Sequence, residues 1–239
     1  MSKLSKAKDY FNWQINRPIN LKNKDSIHLD LGSGNRPANP FDCDNLIASD
    51  IYQIPYEIGQ NFSSIIVKNF KIPIGDSVLD SVLDSVSAYD VIEHIPRSSQ
   101  ASNGDIENPF ILIMNEISRI LKPGGIFIAV TPSFPSPIAF QDPTHVNFIT
   151  KNTANYFAGP SWAKELGYGF TGYFEIVQNC WLFGQAPFVG RLELGEKSIN
   201  NYPIINNGIK FYLKMIKRTL KLIYPRKRTH LLWVLRKAK

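Results

Sequence analysis

Cysteine is scarce: the 239 residues contain two, Cys43 and Cys180, far apart and in no Cys-x-x-Cys or Cys/His cluster. Disulfide scaffolds, metal ribbons and iron–sulfur chemistry therefore lack their ligands, and a reducing compartment is expected. Long apolar runs are missing too. No stretch approaches the roughly 18 consecutive apolar residues of a membrane span, and the polar Met1–Ser26 has no apolar signal core, so the expectation is a cytosolic protein. Acid is absent from residues 197–239, which carry 12 Lys and Arg, whereas residues 1–196 carry 15 basic and 20 acidic side chains. The net charge of +7 thus belongs to the tail, and an electrostatic partner is to be sought there. A chain that is 44% hydrophobic and 12% aromatic can bury a core without staples and is too apolar to be disordered. One domain is expected over 26–239, after a polar leader at 1–25.

Alternating apolar residues in Ser26-Ile-His-Leu-Asp-Leu-Gly-Ser-Gly34 run into a glycine turn, the pattern of a buried strand entering a glycine loop. Short apolar runs at Leu46–Asp50, Ser64–Asn69 and Asp84–Tyr89 suggest three more strands. Pro109–Leu121 has apolar residues at helical spacing and stops at Lys122-Pro-Gly-Gly125, after which Ile126–Val130 reads as a fifth, buried strand. Strands alternating with helices predict a parallel sheet with helices on both faces, whose ligands sit at the carboxyl ends of the strands. Tyr173–Leu182 and Thr229–Leu235 read as two further strands, antiparallel partners at the sheet edge. The repeat Asp76-Ser-Val-Leu, Asp80-Ser-Val-Leu, Asp84-Ser-Val is read as a duplication in the loop before the fourth strand, without chemistry. The polar insertion Arg97–Asn108 is read as a flexible lid or loop.

Gly32 and Gly34 stand where the backbone turns tightly and approaches a ligand, and Asp50 follows Asp30 by 20 residues, the spacing that places an acid on a ribose diol. Against a dinucleotide, the third glycine position is Pro37, which offers no N–H to a pyrophosphate. Asp30 would also repel phosphate while suiting a cation such as the sulfonium of S-adenosylmethionine.

Ile27–Gly34, Ala48–Asp50, Lys71–Pro73, Leu83–Ile95 and Leu121–Pro132, in that order, resemble the successive motifs of class I S-adenosylmethionine-dependent methyltransferases. Asp142-Pro-Thr-His145 is similar to a segment of bacterial methyltransferases acting in surface-glycan and small-molecule pathways. The resemblance implies an α/β, Rossmann-like, seven-stranded and mostly parallel sheet with its last strand antiparallel, binding S-adenosyl-L-methionine. It implies that Asp30, Gly32 and Gly34 frame the methionine end of the cofactor, that Asp50 takes the ribose hydroxyls, and that Tyr89 and Asp90 lie nearest the methyl group. Asn69 and Phe70 stand where the family usually shows an acid for the adenine amino group; Asn69 would bond the ring or Phe70 stack on it. Arg36 replaces a frequent third glycine.

Removing a proton from an acceptor hydroxyl calls for a base, and histidine suits it. Among the four histidines, His28 and His230 fall inside strands and read as structural. His94 opens the helix after the fourth strand, as base or as hydrogen-bonded anchor of the turn. His145, in an irregular segment past the fifth strand, is the preferred base, with Asp142 to orient it. Asp142 and His145 could instead join Glu93 or His94 on a metal, but no ligand spacing fixes a metal geometry and none is expected. Phe134, Phe140, Trp162 and Trp181 offer aromatic faces to a sugar or another ring, or simply pack.

Asn207–Tyr224 has Ile209, Tyr212, Leu213, Ile216, Leu220 and Ile223 on one helical face and Lys210, Lys214, Lys217 and Lys221 on the other. It predicts a basic amphipathic helical insertion at about 197–228 before the last strand, packed on the domain or on a second subunit, or laid on the inner face of an anionic membrane. No nucleic-acid module accompanies the charge. The reading is a methyltransferase of a small molecule or saccharide in polysaccharide biosynthesis, acting at oxygen. The alternatives are N-, C- or nucleic-acid methylation, or a non-catalytic module of the same fold that binds a membrane or partner.

Overall fold

The computed structural model describes Leu21 and residues 24–53, 62–74, 82–183 and 228–238. Seven strands form one sheet: β1 (Ile27–Leu31), β2 (Asn45–Asp50), β3 (Ser63–Ile66), β4 (Leu83–Tyr89), β7 (Leu121–Pro132), β8 (Phe174–Phe183) and β9 (Arg228–Lys237), in the order β3-β2-β1-β4-β7-β9-β8. The first five are mutually parallel, and β9 runs antiparallel to both of its neighbours. The sheet is Rossmann-like with its last strand reversed, as the motifs imply. That strand is interior, between β7 and β8, and the edge belongs to β8.

Alternation assigns the two faces. Leu29, Leu31, Val86, Ala88, Phe127, Ala129, Leu231 and Trp233 join one core, while Tyr89, Ile126, Ile128, Val130, Leu232 and Val234 join the other. On the first face lies α1 (Pro109–Ile120), which buries Ile111, Ile113, Met114, Ile117 and Ile120. Asn108 caps it, its side-chain oxygen accepting from the amides of Phe110 and Ile111, and Pro109 suits the first turn. Glu116 accepts the Ile72 amide, and the Arg119 guanidinium donates to the carbonyls of Ile72 and Ile74, so the helix also fixes the segment after β3. On the second face, Ala38, Phe41 and Cys43 of the loop before β2 pack against the strands.

Three expectations change. Strand β7 starts at Leu121, directly after the helix, because Leu121 pairs with Leu83 across a register shift. Glu93 and His94 lie in a turn after β4 rather than at the opening of a helix. Asp84, the last acid of the repeat, falls in β4 as the apolar run Asp84–Tyr89 suggests, and there it accepts the Ile27 amide and pairs with Lys122 at 2.9 Å. Within Arg97–Asn108, β5 (Ser99–Gln100) and β6 (Ile106–Glu107) form a small antiparallel hairpin in place of a lid. The amphipathic pattern at 207–224 and most of the leader lie outside the described residues.

Polar residues face the second core from β1 and β4. His28, fully buried, contacts the Ser85 hydroxyl with Nδ1 at 2.7 Å and the Ser87 hydroxyl with Nε2 at 2.8 Å. Burial holds its imidazole down to about 3. Folded His28 thus resists a proton that the unfolded chain accepts near 6.5, so its stabilising contribution is complete above that pH and is lost as pH falls from 6.5 towards 3. Between about pH 7.5 and 5.5 the stability difference between the wild type and His28→Gln should shrink by about 1.4 kcal/mol in urea unfolding; an unchanged difference would refute the assignment.

Candidate active site

Asp30 and the glycine loop are built as one unit. Asp30 is buried; its Oδ1 accepts the Ser87 hydroxyl at 2.6 Å and its Oδ2 accepts the Ala38 amide at 2.7 Å. Between these anchors the chain turns left-handed at Gly32 (φ +67°) and Gly34 (φ +54°). A Cβ on Gly32 would meet Val91 Cγ2 at 2.4 Å, so both conformation and space demand glycine. Asp50, at the end of β2, accepts the Gly34 amide on Oδ2 and its neighbour Ile51 on Oδ1. The Ser33 amide donates to Ser49. The loop therefore lies across the carboxyl ends of β1 and β2 and borders the β1–β4 boundary, where the strand order reverses and such sheets bind ligands.

Two neighbouring turns are strained. Asn69 (φ +49°) and Phe70 (φ +59°) form the centre of a tight turn beyond β3, closed by the Lys71 amide on the Lys68 carbonyl. Asp90 (φ +53°) follows β4, its amide bonded to Val130. Left-handed aromatic or acidic residues cost free energy and concentrate at functional sites. Tyr89 points into the second core; its hydroxyl is buried without a partner among the described residues, and burial, with the charge of Asp30, raises it well above the phenol range.

A second group gathers where β4 and β7 end. Glu93 is buried; Oε2 accepts the Thr131 hydroxyl at 2.9 Å, and Oε1 has no hydrogen-bond partner among the described residues. Burial, reinforced by the Asp90 charge, pushes its carboxyl up to about 8. The Glu93 carbonyl accepts the amides of Val146 and Asn147, and the Asn147 side chain bonds the carbonyls of Ile92 and Ile95. These bonds stitch the 145–147 segment to the turn after β4 and bring His145 against His94, with ring centroids 4.7 Å apart.

Hydrogen bonding fixes both rings. The His145 Nδ1 lies 3.2 Å from the Ala139 carbonyl, which can only accept, so Nδ1 carries the proton. Thr144 gives its hydroxyl proton to Asp142 Oδ1 and so accepts from His94 Nδ1 at 2.9 Å. In each neutral ring the lone pair is left on Nε2. Asp142, expected to orient His145, is instead committed to Thr144 through both its amide and its hydroxyl, bonds that lower its carboxyl. Its other oxygen stands 3.9 Å from His145 Nε2, beyond hydrogen-bond range. The Ala139 carbonyl does the orienting.

The structure thus puts Asp30, Gly32, Gly34 and Asp50 on one side and Asp142, His94 and His145 on the other. Residues Asp90–His94 border both, with Val91 against Gly32. It adds Thr144, and also His230, whose Nε2 is 3.4 Å from Asp90 Oδ1. A reversed last strand starts at the edge where the parallel strands end, so a histidine at its first residues was recoverable as a site residue from the strand's direction.

No family model matches the sequence, and no curated protein matches it significantly. Solved structures do resemble the fold. A candidate methyltransferase of Bacillus halodurans C-125 is 16% identical, with 99% of each chain covered and a TM-score of 0.50. The geranyl diphosphate C-methyltransferase of Streptomyces coelicolor A3(2), solved with Mg2+, geranyl diphosphate and S-adenosyl-L-homocysteine, is 9% identical over 98% of this chain and 77% of its own, at a TM-score of 0.50. The [4+2]-cyclase SpnF is 14% identical over 98% and 80%, also at 0.50. The shared feature is the methyltransferase-type sheet, and the reaction must be argued from the site.

Gly32→Ala should lose about 2 kcal/mol in urea unfolding, from the left-handed backbone plus the Val91 clash. Adding Val91→Ala should relieve the clash alone; a stability equal to wild type for Gly32→Ala would contradict the turn geometry.

Proposed function

We propose that the protein transfers a methyl group from S-adenosyl-L-methionine to a hydroxyl of a small molecule or saccharide. What carries the reading is one juxtaposition: a glycine loop bracketed by Asp30 and Asp50, sharing the Asp90–His94 segment with two histidines whose Nε2 lone pairs are left to act. In this reading Gly32 and Gly34 let the backbone approach the methionine end, and Asp30, with Asp90, sets a negative potential suited to a sulfonium and an ammonium. Asp50 retains lone pairs for the ribose diol beside the bond from Gly34. Asn69 bonds the adenine edge and Phe70 stacks on its face.

Methyl transfer is an in-line displacement. The acceptor oxygen attacks the methyl carbon, the carbon–sulfur bond breaks, S-adenosylhomocysteine leaves, and the acceptor's proton goes to His145 Nε2, with His94 its partner ring. Beside the histidines, Phe134, Phe140 and Phe148 are exposed and in ring contact, with Arg97 over Phe148 at 4.5 Å. Such exposed aromatic faces suit the C–H face of a sugar or a planar acceptor. Among the described residues no helix is long and apolar enough to cross a membrane. The acid-free 197–239 segment supports attraction to an anionic surface that would present a lipid-linked saccharide.

Calorimetric titration tests the cofactor without knowledge of the acceptor. S-adenosylmethionine and S-adenosylhomocysteine should bind and NAD should not; failure of folded protein to bind either S-adenosyl ligand would overturn the reading. Asp50→Ala should weaken both by roughly tenfold or more, the loss of charge-assisted hydrogen bonds. With an acceptor in hand, His145→Ala should lower kcat by about a hundredfold at unchanged acceptor affinity, and full turnover would remove it as the base.

A further inference from the structure

The geometry points to a divalent transition-metal site built from Glu93, His94 and His145. One donor atom from each residue lies within 4.8 Å of those from the other two. An ion with bonds of about 2.1 Å spans donors roughly 3 to 3.5 Å apart, so the side chains need only draw in by about an ångström.

The surroundings are those of metal ligands rather than of a closed hydrogen-bond network. A ligating histidine donates its second ring N–H to an oxygen, which fixes its orientation. Here both rings do so at Nδ1, His145 to the Ala139 carbonyl and His94 to the Thr144 hydroxyl, which Asp142 in turn holds. Glu93 repeats the pattern: Thr131 fixes one oxygen, and the other is buried without a hydrogen-bond partner among the described residues. A side chain 1% exposed does not leave a carboxylate oxygen unsatisfied without cost, and a cation beside it would supply what the protein does not. The same ion would take up both Nε2 lone pairs of rings packed 4.7 Å apart.

Two imidazoles and one carboxylate select zinc, iron(II) or their first-row neighbours over Mg2+ and Ca2+, which prefer all-oxygen shells. Three protein ligands leave a position open, the mark of a reactive rather than a structural ion. One consequence rests on the methyl-transfer reading. In the ion-loaded protein His145 Nε2 is a ligand and no longer the base. An acceptor hydroxyl in the open position is acidified by the ion and loses its proton to Asp142 or to water, and the resulting oxyanion takes the methyl carbon as the carbon–sulfur bond breaks. Ion binding itself does not depend on that step.

The test uses the full, tag-free chain, stripped with chelator and titrated with Co2+ and Zn2+. One equivalent of Co2+ should bind with visible d–d absorption, Zn2+ should displace it, and Mg2+ should not. Glu93→Gln, His94→Ala and His145→Ala should each weaken binding by about a hundredfold, and the outer-shell Thr144→Val by about tenfold. In the wild type, bound Zn2+ should shield His94 and His145, but not an exposed reference lysine, from diethyl pyrocarbonate, a readout that needs no variant to fold. Absence of saturable Co2+ and Zn2+ binding by folded protein overturns the site. So does binding that survives all three ligand substitutions, or equal labelling of both histidines with and without Zn2+. Protein that binds S-adenosyl ligands but takes up neither Co2+ nor Zn2+ would sink this site alone; protein that binds the metals but no S-adenosyl ligand would sink the methyl-transfer reading and leave the site standing.

Discussion

The buried Asp30 carboxylate is the constraint from which the site is built. A charge at 2% exposure is tolerable only when its oxygens are hydrogen-bonded, and the two bonds seen here reach in different directions. Ser87, on the adjacent strand, donates to one oxygen, and the Ala38 amide, beyond the glycine turn, donates to the other. Because Ser87 spends its only proton on Asp30, it must accept from His28 Nε2, which leaves His28 Nδ1 to accept from Ser85. One ordered chain of bonds thus crosses β4 and β1 and ends on the glycine loop. The low affinity of His28 for protons is part of the same logic, since a doubly protonated ring could not accept from Ser85.

The unstrained turn of that loop contrasts with the strain around it. Gly32 and Gly34 adopt left-handed backbone at little cost, whereas Asn69, Phe70 and Asp90 adopt it with side chains attached. The three latter residues close the ends of β3 and β4, and each is held by a backbone bond, Lys71 to Lys68 or Asp90 to Val130. Strain survives where the surrounding structure over-determines it. Here the sheet does so, because β4 is clamped between β1 and β7 and carries Asp90–His94 at its end.

Much of this was legible in the sequence. The seven strands and the reversal of the last one follow from apolar runs, glycine turns and motif order, because strand periodicity is local. What escaped depends on partners far away in the chain or on which of several near neighbours a side chain bonds. Asp84 looked like one more copy in a repeat, yet its role is set by Ile27 and Lys122. Asn108 looked like the end of a polar insertion and is the cap of α1. Asp142 stands three residues before His145, a spacing that invites pairing, but Thr144 between them captures the carboxylate. Proximity along an irregular segment does not determine which neighbour wins a hydrogen bond; the protons available do.

The charge pattern at the carboxyl edge narrows the chemistry further than the fold can. Asp30, Asp50, Asp90 and Asp142 all fall on or beside this edge, and the glycine loop offers its Pro37 where a pyrophosphate would need an N–H. A dianionic diphosphate would have to approach several carboxylates with few donors to compensate, whereas a sulfonium, an ammonium or a metal dication would be drawn in. The basic residues that give the chain its net positive charge are concentrated in 197–239. Sheets of this type serve both kinds of ligand, so the fold leaves the choice open. The acids at this edge favour a cation over a pyrophosphate, a preference that the sheet alone does not carry.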